Sequence, residues 1–143
     1  MDSRDLLIER ISDGIDTTQV GDNSNKSILI RGCDPEMGRR AIALLPPILG
    51  NPEMVSVTND DDFITELQQK KWSVIHFAPG ACRYDAAKSP IPGSSSLTEG
   101  WGLVEYRNLV RKHQDEDVQI VETADERQII PLLTKALGSI NKI

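Results

Sequence analysis

The chain has 143 residues and a formal net charge of −6. This length fits a single domain, which buries about two-thirds of the surface that its unfolded chain exposes. Hydrophobic residues make up 38% of the sequence and charged residues 27%, a balance that excludes disordered and membrane-embedded chains. The acidic charge repels nucleic acid phosphate and anionic lipid, so we expect neither nucleic acid nor a membrane surface as a partner.

The cysteines and the N-terminal residues bear on the cellular compartment. Two cysteines, Cys33 and Cys82, are too few for the disulfide framework of a small secreted domain. The first ten residues, MDSRDLLIER, contain no apolar secretory core. Two prolines interrupt the apolar stretch 41–49, which is far shorter than the ~20 residues of a transmembrane helix. We therefore expect a cytoplasmic protein with reduced thiols.

The N-terminal part of the chain differs in composition from the rest. Residues 3–15 place their apolar side chains along one helical stripe, which predicts a short amphipathic helix. Residues up to 26 are polar and rich in turn formers, as is typical of a linker. The predicted organisation is therefore an N-terminal helix and linker over 1–26, followed by one α/β domain over 27–143.

Four short apolar runs in that domain predict buried strands, and a helical pattern follows each of them. The strands are expected at 27–31, 54–58, 73–77 and 118–121. The first helix is expected at 39–49, with Pro46 and Pro47 breaking or kinking it because neither has an N–H to donate.

Start signals mark the three later helices. The second helix has Thr58 or Asn59 as its cap, and the run 60–62 of three aspartates faces its positive dipole end. The third helix is predicted to run from Ser96 to about residue 113, because Ser96 and Glu99 form a capping-box pattern. In the last helix, which is expected to end near Leu137 with Gly138 as its C-cap, Pro131 either kinks the helix or lies in its first turn.

Strands that alternate with helices predict a three-layer α/β/α sandwich around a mainly parallel four-stranded sheet with right-handed crossovers. The commonest strand order for such a sheet is 2-1-3-4, that of Rossmann-like and flavodoxin-like folds, here with an extra N-terminal helix. In these folds ligands bind beyond the carboxyl ends of the strands, where the strand order reverses. That rule places the site between the loops 31–40 and 78–96.

The two loops differ in charge from the rest of the chain. They hold five basic and three acidic residues, a net +2, whereas the remaining residues sum to −8. A locally positive crevice would attract a small anionic or nucleotide-like molecule, and glycines would allow its close approach to the backbone. No G-x-G-x-x-G or Walker pattern is present. The predicted ligand-binding residues are Arg31, Gly32, Gly38, Arg39, Gly80 and Arg83.

Cys33 and Arg39 form a C-x5-R pattern between a predicted strand and helix. This layout resembles the phosphate-binding loop of low-molecular-weight tyrosine phosphatases, in which a thiolate is the nucleophile and a guanidinium holds the phosphate. The resemblance implies cysteine-dependent phosphatase chemistry. The sequence departs from it at Asp34 and Glu36, which add carboxylates, and at Pro35, which lacks an N–H.

An alternative function is redox chemistry at the same edge of the sheet. Cys33 and Cys82 follow neighbouring predicted strands, and a reversible disulfide between them needs Cα atoms within about 7 Å. With Asp85 and His76, these cysteines are the candidates for catalysis, although a lone histidine in an apolar strand is usually a hydrogen-bonded core residue.

Several questions stay open at the level of sequence. The three aspartates lack the spaced oxygen ligands of a calcium loop, so no metal is predicted, and no motif indicates a cofactor. Neither enzymatic activity nor a substrate follows from the residues. The alternative function is a non-catalytic interaction or oligomerisation module that uses the N-terminal helix or an exposed sheet edge.

Overall fold

A computed structural model describes residues 22–32, 34–77, 96–98, 101–122 and 126–140. Its sheet has four strands, all parallel, in the order β2-β1-β3-β4. The strands are β1 (Ser27–Arg31), β2 (Glu53–Val57), β3 (Val74–Phe77) and β4 (Gln119–Glu122). The predicted strand order and parallel sheet are therefore confirmed.

Helices cover both faces of the sheet. They are α1 (Pro35–Ile48), α2 (Asp60–Gln69), α3 (Leu103–His113) and α4 (Ile129–Ile140), and a short 3-10 helix, Glu126–Gln128, precedes α4. Side chains of α1 and α4 pack in one apolar cluster, and those of α2 and α3 pack in a second one on the opposite face. The result is the expected three-layer sandwich.

Alternate residues of the central strands enter the two clusters. Ile28 and Ile30 of β1 pack with α1 and α4, whereas Leu29 packs with Phe63 and Tyr106 on the other side. Because successive side chains of a strand point to opposite faces, a strand that is covered on both sides is apolar at most of its positions. This explains the unbroken apolar runs from which the central strands were predicted.

Helix α1 begins earlier than predicted because Asp34 caps it. The Asp34 side chain accepts a hydrogen bond from the N–H of Glu36 at 3.0 Å, and Pro35 is the first helical residue, a position where proline needs no N–H donor. Sequence periodicity detects only the apolar face of the helix. That face starts after the first turn, so the predicted start was too late.

Helix α1 ends directly after its two prolines, one residue before the predicted end at residue 49. Pro46 and Pro47 lie within the last turn, and the helix continues to Ile48. A Schellman-type end follows: Gly50 has φ 86°, and the Asn51 N–H donates to the Pro46 carbonyl at 2.7 Å.

Helix α3 begins at Leu103, so the prediction of a helix start at Ser96 is wrong. Residues 96–98 form a turn, and the Trp101 N–H donates to the Thr98 carbonyl at 3.0 Å. Glu105 accepts a hydrogen bond from the Gly102 N–H at 3.3 Å, which supplies the reciprocal half of a capping box without a side chain at the cap itself.

Helix α4 agrees with one of the two predicted alternatives. Pro131 lies in the first turn of the helix, directly after the 3-10 segment. Gly138, however, is a helical residue rather than the C-cap, because α4 extends to Ile140.

The polar residues just before β1 are anchored to the body of the domain. Asn23 and Lys26 are buried, and the Lys26 ammonium donates to Asn23 Oδ1 at 2.8 Å and to the Leu137 carbonyl at 3.0 Å. Asn23 Nδ2 donates to the Leu49 carbonyl at 2.7 Å. These bonds join the entry of β1 to the ends of α1 and α4. The N-terminal helix predicted at 3–15 lies outside the described residues.

Among the helices of the described residues, none combines the length and apolar character required to cross a bilayer.

Candidate functional site

The ends of β1 and β3 lie side by side at the C-terminal edge of the sheet. Arg31 is paired in register with Phe77, and each is the last residue of its strand. The helix that follows β1, α1, packs on one face of the sheet, whereas the helix that follows β3, α3, packs on the other. Because the connections after these two adjacent strands run to opposite faces, this edge has the topological switch point at which open α/β sheets commonly bind ligands.

A buried polar network occupies this edge on the face covered by α2 and α3. The Arg31 Nε donates to Asp60 Oδ1 at 2.9 Å, while the hydroxyls of Thr98 and Tyr106 each donate to Asp60 Oδ2 at 2.6 Å. We call these four residues the Asp60 network. It joins the end of β1, the start of α2, the 96–98 turn and helix α3 through one carboxylate.

The Asp60 network is fully desolvated yet well satisfied. The side chains of Arg31 and Asp60 are both 0% exposed. Isolated charges at such depth are costly, so the two hydroxyl donors and the bond from Arg31 Nη1 to the Gly32 carbonyl matter for its stability. Charge-assisted hydrogen bonds of this kind fix their partners in one geometry.

Sequence reasoning missed Asp60, because the aspartate run at the start of α2 was attributed to helix capping. The cap is Asn59, whose side chain accepts from the Asp62 N–H at 2.8 Å. A signal was nevertheless present in the sequence. An arginine that ends an otherwise apolar strand needs a buried anion, and the acidic run follows the neighbouring strand.

Arg31 was predicted to supply charge to a ligand, and the structure places its guanidinium in the Asp60 network. Gly32 lies beyond it, with its N–H donating to the Val57 carbonyl at 2.9 Å. Arg39 lies in the second turn of α1, exposed and paired with Glu36. The Nε of Arg40 lies 3.6 Å from the same glutamate.

Gly38 is buried against β2. A Cβ at this position would lie 3.0 Å from the Cβ of Ser56 and closer still to its hydroxyl. The glycine therefore allows close packing of α1 against the Ser56 side chain of β2. Its proposed contact with a ligand stays a prediction.

His76 lies in the interior of β3 with 2% of its surface exposed. Its Nδ1 is 3.4 Å from the Val121 carbonyl, and its register partners are Ile30 and Val121. Since Phe77 packs against Tyr106 in the α2–α3 layer, strand alternation directs His76 to the opposite face. The structure therefore does not bring His76 together with the Asp60 network.

The other predicted site residues lie outside the described part of the chain: Cys33, Gly80, Cys82, Arg83 and Asp85. The C-x5-R geometry, the disulfide hypothesis and the contribution of the second loop thus remain predictions. Within the residues that the structure describes, no three His, Cys, Asp or Glu side chains come together to form a metal site.

Comparisons of this chain with protein-family models, with curated proteins and with solved structures returned no match.

Proposed function

We propose that this chain is a binding domain for a small anionic, nucleotide-like molecule, held at the C-terminal edge of the sheet where β1 and β3 end. The register of Arg31 with Phe77 carries the proposal, because it identifies the switch point between two adjacent parallel strands. The ligand is proposed to lie between the segments 31–40 and 78–96, and the low cysteine content supports a cytoplasmic setting.

The Asp60 network supports a preorganised site at this place. It fixes the end of β1 and the 96–98 turn relative to α2 and α3. A ligand that binds there meets a rigid floor, so less conformational entropy is lost on binding than with a mobile pair of loops. Arg31 acts in this proposal by holding the floor, with its positive charge already balanced by Asp60.

Direct contact with the anion is assigned to Arg39 and Arg83. The pair between Arg39 and Glu36 is exposed on both sides, and exposed ion pairs are worth little, so an incoming anion can replace the glutamate. Arg83 carries the positive charge that the sequence places on the second segment.

The capping of α1 favours binding over phosphatase chemistry. The Asp34 carboxylate accepts the Glu36 N–H, one of the free N–H groups at a helix start that a phosphate in a C-x5-R loop would use. A carboxylate already in that position repels a phosphate dianion. We therefore propose a ligand that is held beside α1 by side chains.

Thermal unfolding of the full chain tests the proposal, with adenosine monophosphate and inorganic phosphate as probes. A ligand at about 100 times its Kd stabilises the folded state by about 2.7 kcal/mol. We expect a saturable rise in Tm with adenosine monophosphate that is lost in Arg39→Ala and in Arg83→Ala. The matched control is Arg111→Ala, an exposed arginine near the end of α3, which should retain the full rise. No saturable rise with either probe, or equal losses in all three variants, would reject the proposal.

A further inference from the structure

Strand β4 forms one edge of the sheet and leaves part of its backbone unpaired. The Gln119 N–H donates to the Ser73 carbonyl at 3.0 Å, so Gln119 and Val121 direct their backbone groups toward β3. Alternate residues of a parallel strand turn to opposite sides, and Ile120 and Glu122 therefore direct theirs outward. In the described part of the chain no hydrogen bond reaches these outward groups.

A groove runs along this edge, between β4 and helix α3. It has a volume of about 430 Å³. Half-buried Val118 and Ile120 form an apolar floor, and Arg107 and Arg111 of α3 form one wall. We call this feature the β4 groove. It combines unsatisfied backbone donors and acceptors with an apolar floor, which is what an added strand needs.

The segment that borders the groove is strongly acidic. Residues 115–122, DEDVQIVE, contain four acidic residues and no basic one. Glu122 pairs with Arg107 at 2.9 and 3.1 Å, and Asp115 lies 3.9 Å from the Lys71 ammonium. No ion pair within the described residues reaches Glu116 or Asp117, which are both exposed. The start of β4 therefore presents the charges of Glu116 and Asp117 to a groove whose opposite wall carries Arg107, paired with Glu122, and Arg111.

We propose that the β4 groove binds an extended basic peptide segment of another protein, which adds to the sheet as a fifth strand. Its backbone pairs with Ile120 and Glu122, its apolar side chains lie on the floor of the groove, and its lysines or arginines lie near Glu116 and Asp117. Charge argues against a second copy of this chain as the occupant. Pairing of two β4 edges would bring together two segments in each of which Glu116 and Asp117 have no ion pair among the described residues.

Amide NMR of the full chain with a defined probe peptide tests this proposal. The probe is acetyl-Lys-Val-Lys-Val-Lys-Val-Lys-amide, and the control peptide has glutamate in place of every lysine. We expect saturable shifts of the Ile120 and Glu122 amides and slower hydrogen exchange at both. Raising sodium chloride from about 0.05 M to about 0.5 M should weaken binding at least about fivefold, since screening acts on exposed charges. The glutamate peptide and a probe with alternate N-methylated amides should not bind.

Charge variants locate the effect on this edge. Glu116→Gln combined with Asp117→Asn should raise the Kd at least about fivefold, whereas Glu53→Gln combined with Asp61→Asn, at exposed positions in β2 and α2, should leave it unchanged. Equal effects of the two double variants would overturn the proposal in favour of diffuse attraction to an acidic surface. Absence of saturable shifts, Ile120 protection without peptide, or concentration-dependent self-association through β4 would also overturn it.

Discussion

At the level of single residues, Asp60 connects parts of the chain that are distant in sequence. Its two carboxylate oxygens accept hydrogen bonds from Arg31, Thr98 and Tyr106. A buried ion pair adds little net stability by comparison with apolar side chains of the same shape, but it is costly to break. The role of Asp60 is therefore to specify one arrangement of the elements at this edge.

Asp60→Asn should lower the free energy of unfolding by about 3–5 kcal/mol, because it removes the carboxylate from a buried ion pair with Arg31, and breaking a buried pair is costly. Urea-induced unfolding measures the change. The matched control is Asp61→Asn, one residue along the same helix and exposed, which should change stability little. Equal effects of the two variants would contradict the assignment of Asp60 to a buried pair.

For Thr134 in α4 we predict a substitution that raises the free energy of unfolding. Its hydroxyl is buried and has no hydrogen-bond partner among the described residues. Thr134→Val keeps the shape of the side chain and removes the unpaired group, so it should raise the free energy of unfolding by about 1 kcal/mol. Thr65→Val is the control, since the Thr65 hydroxyl donates to the Asp61 carbonyl at 2.9 Å, and this variant should not be stabilised. Destabilisation by Thr134→Val would show that the hydroxyl has a partner.

At the level of elements, the packing of α1 on β2 depends on Gly38, which has no side chain. Gly38 brings the helix into contact with Ser56, and the Asp34 cap and the Schellman-type end at Gly50 define the limits of the helix. Both ends are fixed by local hydrogen bonds, so the helix cannot slide along the sheet to relieve a clash in its middle.

Gly38→Ala should therefore lower the free energy of unfolding by about 1–2 kcal/mol, because overpacking outweighs the better helix propensity of alanine. Gly138→Ala is the matched variant: Gly138 is helical, and a Cβ added there meets nothing within 4 Å. This variant should gain about 0.5 kcal/mol from the same propensity. Chemical denaturation of both proteins provides the comparison, and a gain in Gly38→Ala would show that Ser56 moves aside without penalty.

At the level of the whole molecule, the sheet and the starts of α2 and α4 were predictable, whereas the starts of α1 and α3 were not. The apolar runs at β1 and β3 reveal burial on both faces, and alternation with helices then limits the topology to a few solutions. Helix starts depend on single capping bonds. Ser96 shows a capping pattern, yet the chain forms a turn there and α3 begins at Leu103, because the Thr98 hydroxyl bonds to Asp60 of another helix.

For the candidate site, the sequence predicted the strand order and hence that β1 and β3 end side by side. Ligand binding at this edge is itself a proposal. The partners of individual charges do not follow from the sequence. Arg31 and Asp60 are far apart in the sequence, and local patterns at either residue have simpler explanations. The pair between Glu36 and Arg39 has the i,i+3 spacing of a helical ion pair, but the predicted helix start at residue 39 left Glu36 outside the helix.

Hydrogen exchange tests how stability is distributed over the sheet. Strands β1 and β3 are each paired on both sides, whereas β2 and β4 are edges. Amides of β1 and β3 should therefore exchange only through global unfolding, and the outward amides of β4 should exchange by local opening. Exchange rates measured by NMR across a denaturant series distinguish these cases. Equal protection of β1 and the outward amides of β4 would contradict this distribution.

The Thr98 hydrogen bond to Asp60 also affects which parts of this domain can change during evolution. Phe77 is fixed in the sheet and Thr98 is fixed by the carboxylate, so the stretch between them has two anchored ends. Doubling the length of a loop between fixed ends adds only about 0.6 kcal/mol to the entropic cost of closing it. Insertions and deletions between these two anchors should therefore cost little folding stability, and under the proposed function the ligand could change while the sheet stays the same.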